Sequence, residues 1–199
     1  MAMPKAVCVY CGSSAGADPR FKAAAETLGR QCAESGIDLV YGGGKLGLMG
    51  ATADAALKAG GRVTGIIPDF LKAVEVQFED VTELLVTQSM HERKQLMFER
   101  SDAFIALPGG IGTLEETIEM LTWAQLGRHG KPIVLVNIAE YWTPLLTLLD
   151  HMVAQAFVGE SARDLWTAVD DVEAVLPAVE ARCGEARQSE RDAVFQQRF

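Results

Sequence analysis

The sequence lacks the features that would place the protein in a membrane or on nucleic acid. No apolar run approaches the roughly 20 residues that span a bilayer, and the start of the chain, Met1 to Lys5, lacks the long apolar stretch of a signal peptide. Lysines and arginines number 18 against 27 aspartates and glutamates, a formal net charge of -9. Because broad attraction to phosphate backbones or anionic lipids requires excess positive charge, neither nucleic acid nor a membrane is expected as a partner. We predict a cytoplasmic protein that holds any phosphate by local contacts.

Cysteine and histidine are also scarce. The four cysteines are too few for a disulfide framework, although Cys8 and Cys11 have a Cys-x-x-Cys spacing. If a strand covers this region, residues three apart point to opposite faces, so the two thiols diverge and a redox pair is not expected. The three histidines, at positions 91, 129 and 151, show no metal-ligand spacing. The sequence therefore predicts no metal site.

Alternating strand and helix patterns fill most of the 199 residues, of which 49% are hydrophobic. Such alternation is typical of βαβ units and an open parallel sheet in one α/β domain. The predicted strands are 6–10, 38–41, 62–67, 83–86, 103–107 and 132–136. The predicted helices are 19–35, 48–59, 90–101, 113–126, 141–155 and 172–179. We assign residues 1–182 to this domain and the polar residues 183–199 to a loosely held C-terminal tail.

Glycine-rich segments follow three of the predicted strands. The segments are Cys11-Gly12-Ser13-Ser14, Gly42-Gly43-Gly44-Lys45 and Pro108-Gly109-Gly110-Ile111-Gly112-Thr113. In an open parallel sheet, ligands bind beyond the carboxyl ends of the strands, where glycines let backbone N–H groups approach an anion. Neither the dinucleotide fingerprint nor the P-loop is matched. One such cluster is as often an ordinary turn, but three on one sheet edge favour a phosphate site.

The segment Thr113-Leu114-Glu115-Glu116 permits two interpretations of one carboxylate. In a capping box, Thr113 caps the helix and Glu116 reaches back to the N–H of Thr113, which is a structural role. In a ligand site, the Thr113 hydroxyl holds phosphate while Glu116 faces the ligand. The spacing alone does not decide between them.

The predicted helix 90–101 places three cations on its apolar side. At about 100° per residue, one arc of the helix holds Met90, Leu96, Met97 and Phe98 together with Arg93, Lys94 and Arg100. Long cations can extend past an apolar stripe to water, but three of them on one arc are harder to explain in this way. Since buried cations need anionic partners, we expect a phosphate and a carboxylate nearby.

At these positions the sequence resembles the Lonely Guy family of cytokinin-activating phosphoribohydrolases, long mislabelled lysine decarboxylases. The resemblance covers about residues 5–158. The motifs that carry it are Cys11-Gly12-Ser13-Ser14, Tyr41-Gly42-Gly43-Gly44, Met90-His91-Glu92-Arg93-Lys94, Pro108-Gly109-Gly110-Ile111-Gly112-Thr113-Leu114-Glu115-Glu116 and Thr122-Trp123-Ala124-Gln125-Leu126-Gly127.

The resemblance implies a Rossmann-like doubly wound parallel sheet with helices on both faces. It also implies a homodimer, with the site near the interface, that removes the base from a cytokinin riboside 5′-monophosphate or from AMP without a cofactor. It implies Arg93 and Glu116 as the catalytic residues. The nucleotide-binding positions that it implies are Glu75, Arg93, Lys94, Gly110, Ile111, Gly112, Thr113, Leu114, Glu115, Glu116 and Thr122. The candidate binding residues further include Gly12, Ser13, Gly43, Gly44, Met90 and Gly109.

A mechanism follows from this chemistry. Departure of the base leaves positive charge on the ribose, which a carboxylate stabilises, and Glu116 is the candidate. Arg93 is expected to bind the phosphate or the ribose side of the site, which aligns the sugar, and to keep Glu116 ionised, while Lys94 and Thr113 position phosphate. Asp102 is a candidate acid for the leaving base, although we expect it rather to end the preceding helix.

Other classes of protein remain as alternatives. A non-catalytic nucleotide carrier with a Rossmann-like fold would use similar glycine turns, but it would not need both Arg93 and Glu116. A decarboxylase would need a pyridoxal-phosphate lysine in a much larger fold. A dehydrogenase would place an acidic residue after the second strand, where Tyr41 and Gly42 stand.

Overall fold

The computed structural model describes residues 3–72 and 75–184, which form a seven-stranded parallel sheet with the order β4-β3-β2-β1-β5-β6-β7. The strands are β1 (Ala6–Tyr10), β2 (Asp38–Tyr41), β3 (Val63–Pro68), β4 (Glu83–Thr87), β5 (Ala103–Ala106), β6 (Ile133–Val136) and β7 (Thr167–Val169). The strand order reverses between β1 and β5, which are neighbours in the sheet. In doubly wound folds this is the point where ligands bind, beyond the carboxyl ends of the strands.

In the part of the chain that the structure describes, six helices cover the two faces of the sheet. They are α1 (Pro19–Glu34), α2 (Gly47–Lys58), α3 (Met90–Glu99), α4 (Ile111–Gln125), α5 (Thr143–Ala154) and α6 (175–184). Short 3-10 helices occur at Asp69–Leu71, Ile138–Glu140 and Glu160–Leu165. Apolar residues of α1, α2 and α6 pack on one face, and those of α3, α4 and α5 pack on the other. The predicted Rossmann-like fold with helices on both faces is confirmed.

Alternation along β1 divides its side chains between the two layers. Cys8 and Tyr10 pack under α3 and α4, whereas Val7, Val9 and Cys11 pack toward α1 and α2. The thiols of Cys8 and Cys11 therefore point to opposite faces of the sheet, as predicted, and form no disulfide. Within the described ranges, no helix is long and apolar enough to cross a membrane.

The end of the chain differs from the prediction. Helix α6 continues through residue 184, two residues into the segment that we assigned to the tail. The physical reason is an apolar stripe in which Val175, Val179 and Cys183 recur every four residues and pack on the core. The rest of the predicted tail lies outside the described residues. Strand β7 was also not predicted; it has three residues, two of them half-buried and one exposed.

Candidate active site

The glycine turns after β1 and β5 contact each other at the strand reversal. The N–H of Gly12 donates to the carbonyl of Pro108 at 3.0 Å. A Cβ on Gly12 would lie 3.3 Å from the Cα of Gly109, and a Cβ on Gly109 would lie 2.2 Å from the hydroxyl oxygen of Thr113. Both glycines are therefore required by close packing between the two turns, and neither lines the main cavity directly.

Helix α4 begins at this contact with its first N–H groups unused. Its N-cap is Gly110, which has no side chain to cap the helix. Within residues 3–72 and 75–184, the N–H groups of Gly110, Ile111 and Gly112 donate to no other group. Free N–H groups at the start of a 15-residue helix attract anions through hydrogen bonding and the helix dipole. The structure thus provides a backbone anion site at the turn.

The capping-box interpretation of Thr113 and Glu116 is wrong. Helix α4 starts two residues earlier than predicted, so Thr113 lies inside its first turn and is not the N-cap. The Glu116 carboxylate instead accepts a hydrogen bond from Arg93, with 2.9 Å between Nη1 and Oε1. The alternative remains, in which both side chains face a ligand.

Arg93 and Glu116 form a buried ion pair that joins α3 to α4. Arg93 is 5% exposed and Glu116 is 8% exposed. The Nε of Arg93 also donates to the carbonyl of Ile66 at the end of β3, at 3.1 Å. A Cβ on Gly42 would lie 2.3 Å from Nη2 of Arg93. Gly42, which was not among the predicted binding residues, therefore makes room for the guanidinium at the carboxyl end of β2.

Burial controls the ionisation of Glu116. It raises the pKa of the carboxyl to about 7, while the positive charge of Arg93 acts in the opposite direction. The charge of Arg93 thus favours the ionised form of Glu116, in the direction expected, while the loss of hydration favours the neutral form more strongly. With this pKa, the neutral and the ionised forms of the carboxyl group are both populated near neutral pH.

The pair faces a cavity of about 360 Å³ at the carboxyl ends of the strands. Ten predicted site residues line it: Ser13, Glu75, Met90, Arg93, Gly110, Ile111, Gly112, Thr113, Glu115 and Glu116. Five further residues line it that were not predicted: Val9, Tyr10, Cys11, Met49 and Leu71. These five are mostly apolar, and in the sequence they are indistinguishable from core residues. The cavity has an apolar part and a part that combines a cation, carboxylates and backbone N–H groups.

Gly43 and Gly44 have a different role from the one predicted. The carbonyl of Gly43 accepts from the N–H of Phe78 at 2.9 Å, and Gly44 forms an isolated antiparallel bridge with Gln77. Gly43 also has a φ of 81°, which favours glycine. The two glycines thus bind the segment 77–78, which follows Glu75, through their peptide groups. Neither of them lines the cavity.

Glu75, which lies just before the segment bound by Gly43 and Gly44, lines the cavity. Its Oε2 is buried and has no hydrogen-bond partner among the described residues. Burial raises the pKa of Glu75, and the charge of Arg93 lowers it by a smaller amount. An unpaired carboxylate oxygen in a cavity is costly unless a ligand supplies a donor. This arrangement supports the binding role expected for Glu75.

Besides the glycines at positions 12, 43, 44 and 109, three predicted binding residues lie outside the cavity lining. Lys94 points away from Arg93, and its Nζ donates to the carboxylates of Glu115 at 2.6 Å and Glu119 at 3.1 Å. Thr122 is exposed further along α4, where its hydroxyl donates to the carbonyl of Ile118. Leu114 is exposed on the same helix. A direct contact of Lys94 with phosphate would require it to leave these two carboxylates.

Two other predictions about charged residues are wrong. Arg100 is not buried, because it follows the last turn of α3 and pairs with Glu83 at the surface. Asp102 accepts hydrogen bonds from the N–H groups of Lys5 at 2.7 Å and Ala6 at 3.2 Å. It therefore lies at the amino end of β1, the opposite edge of the sheet from the cavity. It neither ends α3 nor can act as an acid on a ligand in the cavity.

Comparisons with known proteins identify the family of this chain. Residues 49–179 match a family model described as possible lysine decarboxylase. The chain is 46% identical over 177 residues to a cytokinin riboside 5′-monophosphate phosphoribohydrolase of Rhodococcoides fascians, covering 88% of this chain and 89% of that protein. It is 44% identical over 176 residues to a cytokinin riboside 5′-monophosphate phosphoribohydrolase of Arabidopsis thaliana, covering 88% of this chain and 83% of the relative.

Among solved structures, the molybdenum cofactor carrier protein of Chlamydomonas reinhardtii is similar in fold. It has a TM-score of 0.68 and 25% identity, covering 90% of this chain and 98% of that one. Because a carrier shares the fold, the architecture alone does not distinguish catalysis from carriage. The identity to the phosphoribohydrolases does: this chain belongs to the family of cytokinin riboside 5′-monophosphate phosphoribohydrolases.

Proposed function

We propose that this protein hydrolyses the N-glycosidic bond of cytokinin riboside 5′-monophosphates, of AMP, or of both, releasing the free base and ribose 5-phosphate. The observation that carries the proposal is the buried pair of Arg93 and Glu116 beside the uncapped start of α4. One cavity thus combines a site for phosphate with a carboxylate for the developing cation. A carrier needs the first of these features but not the second.

The phosphate binds to the N–H groups of Gly110, Ile111 and Gly112 in this proposal. The hydroxyls of Ser13 and Thr113, which both line the cavity, add further donors. Local donors of this kind suit a protein whose net charge is -9, since its overall field repels an anion. The anchored phosphate then directs the ribose toward Arg93 and Glu116.

Cleavage passes through a ribose cation that resembles an oxocarbenium ion. The bond between C1′ and the base nitrogen breaks, its electron pair leaves with the base, and positive charge spreads over C1′ and the ring oxygen. The ionised Glu116 stabilises this charge from a buried position, where its field is less screened by solvent. A water molecule adds its oxygen to C1′, and its proton goes to the departing base. Arg93 aligns the sugar and fixes the direction of the Glu116 carboxylate through their hydrogen bond.

Glu75 is assigned to the base. Its unpaired carboxylate oxygen is an acceptor for an N–H group of the adenine ring system. Met49, Leu71 and Met90 supply the apolar lining of the cavity that a flat purine needs. No residue is assigned as the acid that protonates the base.

Base release from three substrates tests the proposal. Purified protein is incubated with AMP, isopentenyladenosine monophosphate and isopentenyladenosine, and the free base is measured by chromatography. We expect release from at least one monophosphate and almost none from the riboside, because the riboside lacks the anchored phosphate. No release from either monophosphate would exclude the hydrolase, and equal release from the riboside would exclude the phosphate site.

We further propose that the protein acts in the cytoplasm as a homodimer that is formed through α4. Three apolar residues are exposed on one side of this helix and at its end: Ile111 (87% exposed), Leu114 and Leu126 (71% exposed). Exposed apolar residues in a row are typical of a protein interface. Thr122 lies on the same side, so a second copy would bring it toward a cavity. Light scattering should give twice the mass of one chain, and Leu126→Glu should shift the protein toward monomer.

A further inference from the structure

One peptide of the phosphate-binding turn has a carbonyl that accepts no backbone hydrogen bond from the residues that the structure describes. The carbonyl of Pro108 accepts from Gly12 at 3.0 Å, and the carbonyl of Gly110 accepts from Leu114 at 3.0 Å. The carbonyl of Gly109 lies between them. Gly109 packs closely against Thr113, whereas a Cβ on Gly110 would meet nothing within 4 Å. Since neither residue has a Cβ, the backbone angles on both sides of the peptide that joins them have the wide range that glycine allows.

The hydroxyl of Tyr141 donates a hydrogen bond to this carbonyl. A trans peptide is planar, and its C=O and N–H point in opposite directions. Fixing the Gly109 carbonyl therefore also fixes the N–H of Gly110, which points away from Tyr141. That N–H is one of the donors at the start of α4 that has no partner among the described residues.

The Tyr141 ring is itself held from two sides. It makes edge contacts with the rings of Phe21, at 5.4 Å between centroids, and Trp142, at 5.0 Å. The indole of Trp142 donates to the carbonyl of Ala106 at the end of β5, at 3.1 Å. The Tyr141 ring thus packs against α1 through Phe21 and is linked through Trp142 to β5, the strand that leads into the glycine turn. Tyr141 itself does not line the main cavity.

The backbone before Tyr141 is strained. Ala139 has a φ of 55° and Glu140 has a φ of 60°, a left-handed conformation that costs energy in residues other than glycine. Both residues are exposed, so the strain is not explained by packing of their side chains. Strained backbone persists where the surrounding contacts require it. Here it turns the chain so that Tyr141 faces Gly109.

From these observations we propose that Tyr141 is a positioning residue for phosphate binding. It holds the Gly109–Gly110 peptide in the orientation that presents the Gly110 N–H to the substrate phosphate. This inference rests on the proposed function, because it assumes that the turn binds the 5′-phosphate of a nucleotide. It concerns a residue that touches no reacting atom and acts only through the turn.

The test compares Tyr141→Phe, which removes the hydroxyl and keeps the ring, with the wild type. Binding of ribose 5-phosphate and of adenine is measured by calorimetry, and kcat and KM are measured on AMP or the better monophosphate. Since one neutral hydrogen bond is lost, we expect the Kd for ribose 5-phosphate and the KM to rise about 3- to 10-fold. The Kd for adenine and kcat should change less than about twofold, because the base and the reacting bond lie outside the turn.

Tyr41→Phe is the matched control. It removes a buried hydroxyl that has no hydrogen-bond partner in the described part of the chain, so the Kd for ribose 5-phosphate should stay at the wild-type value. If Tyr141→Phe fails to fold, Phe21→Leu loosens the ring but keeps the hydroxyl, and it should raise the same Kd by a smaller factor.

The outcomes separate the two proposals. Unchanged binding of ribose 5-phosphate by folded Tyr141→Phe, or a loss confined to kcat, overturns the role of Tyr141 while base release by the wild type still supports the enzyme. A wild-type protein that neither releases base nor binds ribose 5-phosphate overturns the proposed function and, with it, the role of Tyr141.

Discussion

The pKa of Glu116 makes the pH dependence of catalysis a sharp prediction. Burial raises this pKa to about 7 in the free protein. The proposed mechanism needs the ionised form, so kcat/KM should increase with pH and level off above neutrality. For one group with this pKa, the value at pH 6 is about a tenth of the plateau, and the value at pH 8 is about nine tenths.

The assay is the initial rate of base release at low substrate concentration, in buffers of constant ionic strength from pH 5 to 9. The substrate phosphate also titrates, near pH 6, so its contribution is separated by repeating the profile with Glu115→Gln. The charge of Glu115 raises the pKa of Glu116, and its removal should move the midpoint to lower pH without changing the phosphate. A rate that falls as pH rises through 7 would refute the reasoning, because Glu116 would then act as an acid.

Three further predictions follow from the same contacts. Glu116→Gln and Arg93→Ala should each lower kcat by about 10²-fold or more, as measured by base release. The first removes the negative charge that stabilises the ribose cation, and the second removes the group that aligns the sugar and directs Glu116. Near-normal turnover with a lower melting temperature would indicate a structural role instead. Gly42→Ala should reduce activity much more than stability, since its Cβ would meet no backbone and would displace the ends of two side chains that line the cavity, Arg93 and Met49. Calorimetry and kinetics on one preparation compare the loss of stability with the loss of activity. The double variant Ala139→Asn, Glu140→Gly should raise the melting temperature by about 2–4 °C, because it relieves about 1 kcal/mol of left-handed strain; an unchanged or lower melting temperature would contradict this.

Much of the fold could be predicted because its signals are local. The predicted strands and the helices α1 to α5 are present, with ends shifted by one or two residues. Apolar runs that end in glycine or proline mark these elements without knowledge of the tertiary structure. Strand β7 has only three residues and is partly exposed, so its pattern is too short to detect. It depends on pairing with β6.

The site was predictable to the extent that topology determines it. Segments after β1 and β5 must meet, since the strands are neighbours at the reversal. The direction of a side chain from a helix was less predictable. Arg93 and Lys94 are adjacent in sequence, yet one enters the cavity and the other pairs with Glu115 and Glu119. Their difference depends on the space left by Gly42, a contact between residues far apart in the sequence.

The orientation of Tyr141 could not be predicted for a related reason. In the sequence, a tyrosine at the start of a helical pattern is typical of a core or surface position. Its contact with Gly109 depends on two left-handed residues before it, and neither Ala139 nor Glu140 favours that conformation. Sequence patterns describe preferred local structure, so backbone that is held against its preference is missed.

A crystal structure of Glu116→Gln with AMP bound tests the central claim most directly. We predict that the phosphate accepts hydrogen bonds from the N–H groups of Gly110, Ile111 and Gly112, and that C1′ lies within about 4 Å of the substituted side chain at position 116, near-contact geometry for catalysis. A phosphate bound elsewhere, or a ribose far from both Arg93 and position 116, would contradict the account.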